Sequence, residues 1–143
     1  MKLTLTLAAS LLLTNYANAQ KVKEANVPTK VKQSFAAKYP NSKIDKWEKE
    51  GDAFEAVFNL NNIHSSAVFT ANGTFKEIEQ RIPATALPAA VITYCTTNFK
   101  NHKLTESATI TDAQGKLVYE AEMTKGIKHI DVLFDDKGNV LKK

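Results

Sequence analysis

Residues 54–75, FEAVFNLNNIHSSAVFTANGTF, decide the fold, because residues 119–140, YEAEMTKGIKHIDVLFDDKGNV, match them without a gap sixty-five positions on. Glu55/Glu120, Ala56/Ala121, His64/His129, Phe69/Phe134 and Gly73/Gly138 are identical, and Phe54/Tyr119 keeps an aromatic ring. Self-similarity at such a period points to one supersecondary unit used in tandem. Within the stretch the side chains alternate. Phe54, Ala56, Phe58 and Leu60 fall on one side of an extended segment, with Glu55, Val57 and Asn59 on the other. Asn61-Asn62 suits a two-residue hairpin turn, since asparagine tolerates positive φ. The returning strand sets Ala67 and Phe69 on the apolar side and His64, Ser66 and Val68 on the other. Asn72-Gly73 turns the chain again into a third strand, Thr74 to Glu79. The second copy follows suit with Tyr119, Ala121 and Met123, a Lys125-Gly126 turn, Ile130, Val132 and Phe134, and a turn at Gly138. Alternation with a polar opposite face predicts antiparallel sheet covered on one side only.

Upstream, Val27-Pro28 opens a helix with Val31, Phe35 and Tyr39 in a stripe, and Pro40 ends it. Lys43 to Glu48 is predicted as a strand, with a turn at Glu50-Gly51-Asp52. Sixty positions further, Leu87-Pro88 opens a second helix that sets Val91, Cys95 and Phe99 where Val31, Phe35 and Tyr39 stood. Lys21–Asn26 is a polar lead, and Gln80–Ala86 a connector without period. Five additional residues near Asp112–Gly115 lengthen the first hairpin of the second copy. The expected class is α+β, a tandem repeat of a helix and about four antiparallel strands. The repeats span 20–79 and 80–143 and form one folded unit with both helices on one face of the sheet, because a sixty-residue unit alone buries a thin core.

The first nineteen residues carry another message. Lys2, an apolar run through Leu13 and the small-x-small step Ala17-Asn18-Ala19 make a signal peptide cleaved after Ala19. The run is too short to span a membrane, and no cysteine follows the cleavage site to receive a lipid. A periplasmic or secreted protein is expected. The formal net charge is +4 and all basic residues but Arg81 are lysines, interleaved with acids along the chain. Nucleic-acid recognition calls for arginine forks and clustered charge, so nucleic acid is not the expected partner. The single cysteine, Cys95, precludes an internal disulfide and lies on the core-facing stripe of the second helix.

The pattern resembles the PepSY-like family of exported bacterial proteins, also described as beta-lactamase-inhibitor-like. The residues that carry the resemblance are the Val27-Pro28 and Leu87-Pro88 openings, the Tyr39-Pro40 helix end and the Trp47 strand. Phe54-Glu55-Ala56, Tyr119-Glu120-Ala121 and the Phe-x-x-x-Gly endings at Phe69/Gly73 and Phe134/Gly138 complete it. The resemblance runs from Val27 to Leu141 and implies helix-plus-sheet repeats, an extracytoplasmic location and a protein-binding sheet face. It carries no inhibitory motif, and fold does not transfer function.

For chemistry the residues offer little. There is no glycine-rich phosphate loop, no nucleophile motif and no cofactor or metal motif, and His102 falls in a polar loop. The repeated pairs Glu55/His64 and Glu120/His129 lie on adjacent strands of the non-core face. They could act as acid and base or half of a metal site, or simply as cross-strand polar pairs. Trp47 has the opposite parity from Ile44, so it joins Val57 and Val68 outside unless a bulge turns it into the core. The expected partner is another protein. It would meet a face made of Trp47, Glu55, Val57, His64, Val68, Glu120, His129 and Leu133, in a non-catalytic inhibitor or accessory protein. The alternative is a small enzyme or metal binder built on the Glu/His pairs.

Overall fold

A computed structural model describes residues 19–142, so nearly all of the expected signal peptide lies outside the described residues. Nine antiparallel strands follow one another across a single sheet in chain order, β1 to β9. They are β1 Gln20–Val22, β2 Ile44–Glu50, β3 Ala53–Leu60, β4 Ile63–Thr70, β5 Phe75–Arg81, β6 Lys103–Asp112, β7 Leu117–Lys125, β8 Lys128–Phe134 and β9 Val140–Lys142. Helix α1, Thr29–Lys38, lies between β1 and β2, and α2, Ala89–Asn98, between β5 and β6. The architecture is α+β, with a meander in which each strand returns beside the last.

Local chemistry explains the boundaries. Pro28 and Pro88 occupy the N-caps, where a residue without an N–H leaves no further donor unsatisfied. Both helices end on an aromatic C-cap, Tyr39 and Phe99, whose N–H groups donate to the carbonyls of Phe35 and Cys95. Lys100 follows Phe99 where Pro40 follows Tyr39, and α2 ends at the equivalent place without the proline. Asn61 and Asn62 both take positive φ, as a tight right-twisting hairpin turn requires. In the β7–β8 hairpin, Lys125 pairs with Lys128, so that turn is Gly126-Ile127, one residue later than expected.

Two elements depart from expectation. Lys21–Asn26 is no mere lead, since Gln20–Val22 forms edge strand β1, paired with Lys49–Trp47 of β2. Likewise Gln80 and Arg81 of the supposed connector continue β5, and a single 3-10 turn follows at Ala84–Ala86. A short turn of the same kind, Glu24–Asn26, precedes α1.

Packing falls into two apolar clusters. Val31, Phe35 and Tyr39 from the α1 segment meet Trp47, Phe54, Ala56, Phe58, Ala67 and Phe69. Val91, Cys95 and Phe99 from the α2 segment meet Ala121, Met123, Val132 and Phe134. Strand β5 lies between them, with Phe75 and Ile78 packed on the first cluster and Ile82, just beyond its end, on the second.

Candidate functional site

The side chains that alternate away from both clusters form rows that can be followed by register. Glu48, Glu55, Val68, Glu77 and Asp112 make one row across β2 to β6. Lys46, Val57, Ser66, Glu79, Ile110 and Val118 make the next. Arg81, Ala108, Glu120 and Leu133 make a third row across β5 to β8. Period-two placement of glutamates at 48 and 50, 77 and 79, and 120 and 122 thus gathers acid on one face of a chain whose net charge is positive. Along the sequence the charges look interleaved. In the sheet they are sorted.

Burial raises the pKa of the carboxylates at the centre, which are only partly exposed. Glu79 has its pKa pushed up to about 8, first by burial and then by Glu120, Glu55, Glu106 and Glu77. Burial raises Glu120 to about 7, with Glu106, Glu122 and Glu77 adding to it. Glu77 moves up for the same first reason. Among the described residues neither Glu79 nor Glu120 joins an ion pair; Arg81 is spent on Glu106 at 2.5 Å and Lys46 on Glu48 at 2.7 Å. Removing a carboxylate from water without a cation beside it favours its neutral form. Val57 and Ala108, 5% and 1% exposed, are screened on this face by the longer side chains around them.

Several expected site residues move. Trp47 belongs to the core. Between Ile44 and Lys46 strand β2 carries one residue more than β3, and this bulge flips the parity so that Ile44 and Trp47 share the helix side. Trp47 is 3% exposed, with its ring edge-on to Phe35 at 5.9 Å. The Glu/His pairs do not assemble either. Across β3–β4, Glu55 faces Val68 while His64 faces Asn59; across β7–β8, Glu120 faces Leu133 while His129 faces Thr124. The imidazole of His129 instead meets Glu122 at 3.3 Å and Thr124 at 3.2 Å. A hydrogen bond from Thr105, followed by the His129 contact and a hydrogen bond from Thr124, holds Glu122 below the usual carboxylate range. His64 and His129 stand on strands four apart, about 19 Å at ordinary strand spacing. Glu55, Val68, Glu120 and Leu133 lie on the open face at partial exposure, and His64 and His129 at its exposed margin.

A family model described as beta-lactamase-inhibitor-like, PepSY-like, matches residues 13–62 and again 52–142. The chain belongs to the PepSY-like family. No curated protein matches it. Among solved structures, a protein from Bacteroides eggerthii described as periplasmic superposes with a TM-score of 0.71 at 19% identity, covering 81% of this chain and 86% of that one. A beta-lactamase-inhibitor-protein-like protein from Bacteroides fragilis gives 0.64 at 21% identity, covering 80% and 84%. A DUF2874 family protein from Bacteroides uniformis gives 0.69 at 13%, covering 80% and 86%. At these identities the likeness shows the fold alone.

In this PepSY-like chain the acidic sorting is the feature that sequence reasoning missed. The signal was present as glutamates at period two on the polar parity of β2, β5 and β7. Residue-by-residue charge counting, without the strand register, cannot see it.

Proposed function

We propose that this is an exported, non-catalytic binding module that grips a cationic protein surface through the open face of its sheet. Both helices lie on the side of Phe54, Phe69, Tyr119 and Phe134, which the register joins through Ala67, Ile78, Thr111 and Leu117 into one face. Among the described residues no layer covers the opposite face. The observation that carries the proposal is its makeup: among the described residues Glu79 and Glu120 have no ion-pair partner, and they stand among Val57, Val68, Ile110 and Leu133. A lysine or arginine docked there would restore the charge of Glu79 and Glu120, while the apolar residues supply buried contact. The chain is one helix-plus-strands unit written twice, and the duplication widens the sheet into such a surface. The periplasmic description of a structural relative and the order of residues 1–19 support export. An inhibitor or an envelope accessory protein would both use this face. No helix among the described residues is long and apolar enough to cross a membrane.

The test is cross-linking in the native envelope with the wild type and two face variants, Val68→Lys/Leu133→Lys and Glu79→Gln/Glu120→Gln. Both variants should keep the far-UV circular dichroism of the wild type and lose the same recovered partner. Recovery should weaken with added salt, because the contact is charged. Wild-type recovery by both variants would refute the assignment of the face.

A further inference from the structure

The two clusters are not closed in the same way, and the difference leaves a second site. In the first, Phe35 meets Phe58 edge-on at 4.9 Å, Tyr39 meets Phe58 at 4.9 Å, and Trp47 closes the side. Sixty positions after Phe35 stands Cys95, sixty-five after Phe58 stands Met123, and sixty after Trp47 stands Ser107. Their places in the fold agree. Ile44 pairs with Phe58 as Leu104 pairs with Met123, and Trp47 with Ala56 as Ser107 with Ala121. Positions that hold two touching rings in one cluster therefore hold two sulfurs in the other.

The lost ring volume is not fully recovered. A cavity of about 250 Å³ remains, lined by Cys95, Met123, His102, Phe99 and Leu104, with Lys100 also on its wall. Cys95 and Met123 are 2% and 3% exposed. His102, counted from sequence as part of a polar loop, lies edge-on to Phe99 at 5.4 Å, and its Nδ1 is buried with no hydrogen-bond partner among the described residues. A buried ring nitrogen left unpaired is costly, so a ligand that met it there would be favoured.

We propose that Cys95, Met123 and His102 bind one cuprous ion in this cavity. A thiolate, a thioether and an imidazole form a soft donor set, which selects Cu(I) over calcium or magnesium. A structural zinc site would call for four ligands, mainly cysteine and histidine, and the wall offers one of each. On binding, the Cys95 S–H bond is replaced by S–Cu, the proton passes to solvent, and the copper stays Cu(I), so no electron moves. Because the thiol must lose its proton to bind the ion, affinity rises with pH.

The test is anaerobic titration of chain 20–143 with Cu(I) held by a chromophoric chelator. The wild type should withdraw one equivalent, release one proton per ion and melt at a higher temperature. Met123→Leu conserves volume and His102→Gln keeps a polar group, so both should fold, and each should weaken binding by at least about tenfold. Cys95→Ser should abolish binding. Met123→Phe, which restores the ring of the first cluster, should abolish it while keeping the melting temperature. No copper taken up by the folded wild type would overturn the proposal. So would wild-type affinity in both Met123→Leu and His102→Gln, which would leave a thiol acting alone.

Discussion

Trp47 shows how much can hang on one residue. Its indole is packed against Phe35 in the first cluster, and its Nε1 is buried with no acceptor among the described residues. Truncation to alanine should cost about 3–5 kcal/mol, as for other large buried aromatics. Trp47→Phe keeps most of the packing and removes the unpaired donor, so it should cost less than about 1.5 kcal/mol. Chemical denaturation of the two variants checks the contrast; an alanine variant as stable as the wild type would return Trp47 to the surface. Strand parity alone could not assign it, because one inserted residue, Asp45, reverses the parity. Glu79 makes a second residue-scale prediction. Below about pH 4.5 its carboxyl is protonated whether the chain is folded or not. Between there and its folded value of about 8, unfolding releases a proton, so stability falls as pH rises. Glu79→Gln removes that loss. It should be more stable than the wild type by on the order of 2 kcal/mol at pH 8.5, with the gap closing toward pH 4.5. Melting curves across that range decide it, and parallel pH profiles would mean that the carboxyl is hydrated.

At the scale of elements, the hairpins and helices were legible because their signals are local. Alternation in 54–60, the asparagine turn and the proline openings each act within a few residues. Strand β1 was not legible. Three residues, QKV, show no period of their own, and their strand state comes from pairing with β2. The same limit hid the bulges, which recur between Leu104 and Glu106 opposite β7. The glycines after β4 and β8 were seen as turns, yet they also carry a packing role. Gly73 takes φ 88° under α1, where a Cβ would come within 2.8 Å of the Lys30 carbonyl oxygen; Gly138 takes φ 82° under α2, 2.8 Å from the Cβ of Ala90. Each turn is wedged beneath the start of a helix. Gly73→Ala should therefore cost about 2–4 kcal/mol, combining left-handed strain with a clash against backbone. Gly115→Ala has φ 83° but open space around it, so it should pay the strain alone, about 1 kcal/mol. Equal losses in the two variants would show that the helix contact carries no weight.

At the scale of the whole molecule the question is whether two clusters make one cooperative unit. Strand β5 argues that they do. Its residues pair with Phe69–Ser65 of β4 on one side and with Asp112–Ala108 of β6 on the other, and the side chains at 75 and 78 serve the first cluster. Ile82, directly after it, serves the second, and its N–H donates to the Ser107 carbonyl. A cut within residues 82–86 would leave the first half with an unpaired edge along β5. The second half would lose both its neighbouring strand and Ile82. Units of about sixty residues have little hydrophobic surplus to absorb such losses. The intact chain should therefore unfold in a single transition, and neither fragment should fold stably alone. Trp47, the one tryptophan, lies in the first cluster, so its fluorescence follows that cluster while far-UV circular dichroism follows the whole sheet. The two probes should give the same midpoint in urea. Fluorescence and circular dichroism midpoints that separate, or a cooperatively folded fragment 87–143, would mean that the clusters are independent and that β5 only adjoins them.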